Sequence, residues 1–101
     1  MNHYNFDWDP EKERSNIRKH KISFRRAATI FRDANQLSQF DDDHSEGEDR
    51  WITIGLDIGG VLCLVIHTFE QSAEDANEIR IISARRATRN ESEQYEQGIP
   101  K

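Results

Sequence analysis

Residues 61–69 read VLCLVIHTF, with apolar side chains at both parities, and this run limits the fold more than any other stretch of the chain. A strand that is apolar on both faces belongs at the centre of a sheet. Gly59-Gly60 just before it is a tight hairpin signal. The preceding residues 51–58 alternate, with Ile52, Ile54, Leu56 and Ile58 on one face. Residues 71–77 are polar and read as a connection, and residues 79–84 give the last strand. Tyr4, Phe6 and Trp8 alternate with polar neighbours as a short first strand, and residues 37–40 form a short edge strand.

Helix signals fall between and after these strands. Asp9 can cap free N–H groups and Pro10 occupies a first-turn position where no N–H is needed, so a helix runs to His20. Ile17 is its only large aliphatic residue, and its packing leans on the stems of long side chains. Ser23 caps a second helix ending near Asp33, in which Phe24, Ala27, Ala28 and Phe31 form the apolar stripe. Thr88 and Glu91 have capping-box spacing for a C-terminal helix that Gly98 and Pro100 stop. The order β-α-α-β-β-β-β-α predicts an α+β fold: a mostly antiparallel sheet, two N-terminal helices on one face, and a C-terminal helix.

A chain of 101 residues is read as one domain with a single two-layer core. The N-terminus is polar and already looks structural, so no signal peptide is expected, and no apolar run is long enough to span a bilayer. Cys63 stands alone within an apolar run, which excludes an internal disulfide and fits a cytoplasmic location. The net charge of −5 hides a division. Residues 1–36 hold eight Lys/Arg against five acids, whereas residues 37–50 hold one arginine against six. A local basic patch is enough to meet phosphate, so net acidity does not exclude a nucleic-acid partner.

The four histidines share no metal-binding spacing, and the Asp41-Asp42-Asp43 run lacks the spaced ligands of a calcium loop, so no metal or other cofactor is expected. Gly59-Gly60 precedes a strand and not a helix, which removes a phosphate loop, and no nucleophile elbow is present. The arginines carry more chemistry. Arg80, Arg85 and Arg86 bracket the last strand, where Arg80 and Arg86 share one parity and Arg85 takes the other. A planar guanidinium donates two parallel hydrogen bonds to phosphate and stays charged. The same arginines could instead neutralise the acidic loop, through Arg50 or Arg85 ion pairs. His67 ends the central strand, where a histidine can be a hydrogen-bonded core residue or a catalyst. His20 lies in RKHK, beside three cations at the end of a helix. RNA cleavage needs a base for the 2′-OH, cations for the phosphorane and an acid for the 5′ oxygen, and these residue types can supply all three.

Five stretches in order, FDWDPEK, KHKISF, DHSEGEDRWITIG, VIHT and RIISARRAT, together resemble the BrnT toxins of bacterial type II toxin–antitoxin systems, over residues 6–95. The resemblance implies a RelE-like ribonuclease fold and an mRNA-cleaving activity that arrests growth. It also implies a BrnA-like antitoxin with a ribbon-helix-helix DNA-binding part, and operator DNA bound only through the complex. Carried over by position, it points to His20, Arg50, His67 and Arg85 as catalytic and to Lys19, Arg80 and Arg86 as RNA-binding. The chain departs from the family pattern at Lys21, where glycine is usual, and at Arg25 and Arg26, where acids are frequent. The competing readings are a non-catalytic binding module, or an inactivated toxin serving as co-repressor with its antitoxin. Direct DNA binding is disfavoured, because no helix combines a basic face with residues suited to base edges.

Overall fold

The computed structural model describes residues 3–98. In order they form β1 (His3–Trp8), α1 (Pro10–His20), α2 (Phe24–Ala28), a 3-10 turn (Thr29–Arg32), β2 (Leu37–Phe40) and a 3-10 turn (Asp42–His44). Then come β3 (Trp51–Leu56), β4 (Leu62–His67), β5 (Glu70–Ala73), β6 (Ala76–Arg86) and α3 (Arg89–Gln97). The sheet order is β1-β6-β4-β3-β2, with β5 also on β6. The β1–β6 pairing is parallel (Phe6 opposite Ile79) and the others are antiparallel.

β5 continues the line of β4 beyond Thr68-Phe69 and turns back at Glu74-Asp75 into β6. Residues 71–77, read from sequence as a connection, are therefore the tip of a long hairpin. All four β5 residues are exposed, so their pairing rests on backbone hydrogen bonds and leaves no apolar pattern to read. At the other hairpin, the strand expected over residues 51–58 ends at Leu56. Asp57 breaks it: its Oδ1 accepts from the Gly59 and Val61 N–H groups at 2.8 and 2.9 Å.

A bulge divides β6. Ile66 faces Ser83, but His67 faces Ile81, leaving Ile82 as the extra residue. The parity of β6 therefore inverts partway along. Ile79 and Ile81 point to the core before the bulge, and Ala84 points there after it. This corrects the expectation that Arg80 and Arg86 share a face. Arg80 and Arg85 share the side away from the core, and Arg86 follows Ala84 on the core side.

The core lies between the sheet and the N-terminal helices. Phe24, Ala27, Ile30 and Phe31 meet Cys63, Val65, Ile79, Ile81 and Ala84. Full burial contributes roughly 1.5–3 kcal/mol for each of the large side chains. The apolar stripe of α2 is present, but the α-helix closes at Ala28 and the stripe continues through the 3-10 turn. Thr29 fixes that change: its hydroxyl donates to Arg26 O at 2.6 Å and accepts from the Ile58 N–H at 2.9 Å. Gly55 lets the turn approach the sheet, since a Cβ there would stand 3.1 Å from Ile30 Cβ and O.

α1 has no apolar anchor. Ile17 is 39% exposed, and the buried residue of the helix is Asn16. The Asn16 Nδ2 group donates to Ile22 O (3.0 Å) and Ala84 O (2.8 Å), while Oδ1 accepts from the Ala84 N–H (3.0 Å). α1 ends at Lys21 with φ of 61°, a left-handed cap normally taken by glycine. α3 lies over the opposite face, near Ile52, Ile54 and Leu64, and buries none of its residues. Its N-terminal capping box and its left-handed Gly98 cap are both formed, while Pro100 lies outside the described residues.

Two substitutions test this unusual anchoring. Asn16→Ala strands three buried backbone groups and is expected to cost about 3 kcal/mol in urea unfolding. Ile17→Ala, one residue away, is expected to cost less than about 1 kcal/mol. A larger loss for Ile17→Ala would overturn the polar anchor.

Candidate functional site

The strand ladder of β2 and β3 extends one step past Trp51, where the Asp41 N–H donates to Arg50 O at 2.8 Å. Arg50 shares the parity of Ile52 and Ile54, and so lies on the face away from the helical core. Glu48 reaches back from the acidic loop and bridges two cations. Its Oε1 stands 3.5 Å from Arg50 Nε, and its Oε2 accepts a short charge-assisted hydrogen bond from Arg80 Nη2. Arg50 Nε is buried and makes no hydrogen bond among the described residues. The structure thus assembles Arg50 and Arg80, drawn from β-sheet positions far apart in sequence, around one carboxylate.

Arg85 shares that face but occupies another part of it. It lies opposite Leu64 in the ladder, whereas Arg80 lies opposite Thr68, beyond the bulge. Arg85 makes a bidentate pair with Glu91, at 2.8 and 2.9 Å. Glu91 also accepts from the Thr88 N–H, so Arg85 secures the start of α3. The Arg85 guanidinium, with the Thr88 N–H, keeps the Glu91 carboxyl below its ordinary pKa despite partial burial. Of the ion pairs anticipated for the acidic loop, Arg50 with Glu48 is formed; Arg85 is committed to α3 instead.

The remaining candidates lie on the helical side. Lys19 and His20 are exposed in the last turn of α1, and their side chains make no hydrogen bond or ion pair among the described residues. Arg86 is exposed opposite Cys63. His67 is only 3% exposed, and its ring meets Phe31 edge-on at 5.0 Å. Its Nδ1 stands 3.0 Å from Thr68 O, and its Nε2 stands 2.7 Å from the Thr53 hydroxyl, which is 2.7 Å from the Ser38 hydroxyl. A carbonyl only accepts, so Nδ1 carries the ring proton and Nε2 accepts from Thr53. The four residues named catalytic from sequence, His20, Arg50, His67 and Arg85, do not converge on one point. Among the described residues, no three His, Cys, Asp or Glu side chains form a cluster suited to a metal.

Glu48, Ser38 and Thr53 are absent from the sequence-derived set. Glu48 was hidden among solvated acids of the same loop. Alternation puts Thr53 on the face of β3 opposite its isoleucines, and the structure turns that face toward the core, where Thr53 is fully buried. Its partner could not be read, because the pairing of Thr53 with Ser38 and His67 depends on strand register.

Burial holds the folded His67 near a pKa of about 4, against 6.5 for the free side chain. Between those values the unfolded chain binds the proton and the folded chain does not. Stability is therefore full near neutrality and is lost as pH falls from about 6.5 toward about 4. The expected loss between pH 7 and pH 5 is about 2 kcal/mol. Urea titrations at both values check this, with His67→Gln flattening the difference. Asp33, Asp57 and Glu91 act in a lower window. Hydrogen bonds hold their pKa values down, so their contribution is lost only below the ordinary carboxylate range, near pH 4.

Comparison with known proteins fits this fold. The family model described as "Ribonuclease toxin, BrnT, of type II toxin-antitoxin system" matches residues 8–91. The crystal structure of the Brucella abortus ribonuclease toxin BrnT superposes with a TM-score of 0.55 at 21% identity, covering 83% of this chain and 96% of that one. No match was found among curated proteins. With its family pattern running from β1 into α3 on the same architecture, the chain belongs to the BrnT ribonuclease toxins of type II toxin–antitoxin systems.

Proposed function

We propose that this chain is a RelE-like endoribonuclease that cleaves mRNA by metal-independent acid–base chemistry and so arrests growth. A BrnA-like ribbon-helix-helix antitoxin neutralises it, and the complex binds operator DNA through the antitoxin. The observation that carries the enzymatic reading is Glu48 held between Arg50 and Arg80. A carboxylate beside two guanidinium groups supplies two of the required tasks in one place. Glu48 takes the 2′-OH proton, the 2′ oxygen attacks phosphorus, and Arg50 and Arg80 stabilise the phosphorane charge. Collapse breaks the bond to the 5′ oxygen, which gains a proton, leaving a 2′,3′-cyclic phosphate and a 5′-hydroxyl.

His20 and His67 are the histidine candidates for proton transfer, and their settings differ. His20 is exposed beside Lys19, where a bound strand can reach both; Arg86 offers a further exposed cation. His67 is sealed, with both ring nitrogens engaged, which supports a positioning role. Arg85 acts on the site through α3, while its pairing with Glu91 lasts. One observation favours the non-catalytic alternative of a co-repressor subunit: Arg50, Arg80 and Arg85 all already face a carboxylate.

Purified chain incubated with RNA in EDTA separates these readings. Arg50→Ala and Arg80→Ala are each expected to lower cleavage about 100-fold or more, and Glu48→Gln by a similar factor. His67→Gln should fall less than either arginine variant, and His20→Ala reports whether α1 contributes the acid. Full cleavage by folded Arg50→Ala and Arg80→Ala would remove the phosphate site. No cleavage and no growth arrest by the unmodified chain would favour the co-repressor.

A further inference from the structure

On the helical side of the sheet, at the same end as Arg50 and Arg80, lies a cavity of about 240 Å³. A third of the chain's residues are charged, yet none of the eight that line this cavity is, counting His67 as neutral. Four of the eight, Tyr4, Phe31, Trp51 and Phe69, are aromatic. Tyr4 and Phe69 remain 39% and 42% exposed, so two of these rings reach the surface, the Tyr4 ring tilted against Phe6 and Phe31. Such a lining offers nothing to pair with a phosphate and accepts a flat ring, because stacking on aromatic faces does not require charge.

The polar atoms of the wall have a defined sense. Thr68 O fixes the ring proton of His67 on Nδ1, so Thr53 donates its hydroxyl proton to Nε2 and Ser38 donates its own to Thr53. Ser38 Oγ is left with lone pairs only. Gln36 spends its amide hydrogens on Phe31 O and Asp33 O, which leaves its carbonyl oxygen free. Both lining groups therefore offer acceptors, which suit an exocyclic amino group with its two N–H donors better than the single N3–H of uracil. Phe69 adjoins Thr68, which lines a second cavity together with Arg80, and Ile79 lines both.

We infer that this pocket is a nucleobase subsite for RNA, preferring the amino-bearing bases adenine, cytosine and guanine over uracil. The base stacks between the exposed rings of Tyr4 and Phe69 and donates from its amino group to Ser38 and Gln36. Its sugar and phosphate then pass over Thr68-Phe69 toward Arg80. The inference rests on the ribonuclease reading for its ligand; His67 enters it only as the fixed end of the Thr53–Ser38 hydroxyl chain, and its stacking residues Tyr4 and Phe69 have no part in the proposed phosphate chemistry.

The test is titration of the full chain, carrying Trp8→Phe so that Trp51 is the sole tryptophan, with the four nucleoside 3′-monophosphates. Saturable quenching is expected in the millimolar range or tighter, with uridine monophosphate weaker by about fivefold, a hydrogen bond's worth. Phe69→Ala should weaken every nucleotide about tenfold through lost stacking, and Ser38→Ala should erase the preference against uridine. Circular dichroism confirms that each variant is folded; Tyr4→Ala at the opposite rim provides a second stacking variant. No saturable quenching up to about 10 mM, or equal quenching after Phe69→Ala and Tyr4→Ala, would overturn the subsite. Equal affinity for all four nucleotides would overturn the acceptor wall. Nucleotide binding in a chain whose cleavage ignores Arg50 and Arg80 would break the catalytic reading alone, whereas Arg-dependent cleavage without nucleotide binding would break only the subsite.

Discussion

The side-chain amide of Asn16 holds the covering layer onto the sheet. β1 runs beside β6 only as far as Ile81, so the backbone of Ala84 has no strand on that side. Ala84 is buried, and leaving its N–H and C=O unpaired would cost about 1–3 kcal/mol for each group. Asn16 presents the same donor and acceptor as a passing peptide group and takes both. Its second amide hydrogen binds Ile22 O, which fixes the turn from α1 toward α2. Glu13 then accepts from the Phe24 N–H at 2.8 Å and sets the start of α2. Polar contacts thus aim the helices, and Phe24, Ile30 and Phe31 close the core once aimed.

The bulge at Ile82 has a comparable reach over the chemistry. An uninterrupted β6 would turn either Ala84 or Ile81 outward, and would send Arg80 and Arg85 to opposite faces. With one residue inserted, both isoleucines before it and the alanine after it serve the core. Arg80 and Arg85 are then free for the far face, where Glu48 and Glu91 meet them. The inversion also sets His67 opposite Ile81, and the strand break at Thr68-Phe69 follows directly after it.

Much of this was legible in the sequence because capping and alternation act locally. Asp9 with Pro10, Ser23, and Thr88 with Glu91 cap the three helices as their residue types require. The alternation of Trp51 to Leu56 and the two-faced run around Val65 placed the central strands. What stayed hidden depends on contacts between segments distant in sequence. Asn16 reads as a neutral helix residue until Ala84 lies beside it, and Glu48 reads as one acid among six until Arg80 crosses to it. The bulge has no residue signature, since Ile81-Ile82 fits an unbroken strand equally well. Lys21 was conspicuous as a replacement for glycine, and it does hold the left-handed cap that glycine would hold more easily.

The ion pairs on the far face differ in what breaking them would disturb. Arg80 and Glu48 are about half and more than one third exposed, so solvent and salt screen their attraction. In the ribonuclease proposed above, a phosphodiester can share these half-exposed guanidinium groups at small cost while Glu48 stays beside them as the base. Arg85 is bound differently. Its carboxylate partner is largely covered, is held in two parallel hydrogen bonds, and completes the capping box of α3. Drawing Arg85 onto a phosphate would uncap a helix that buries no residue of its own and is otherwise tied to Asp33 through Tyr95. Two cations of the same face are thus available to a ligand while the third maintains the structure, a division set by carboxylate burial and not by the arginines themselves.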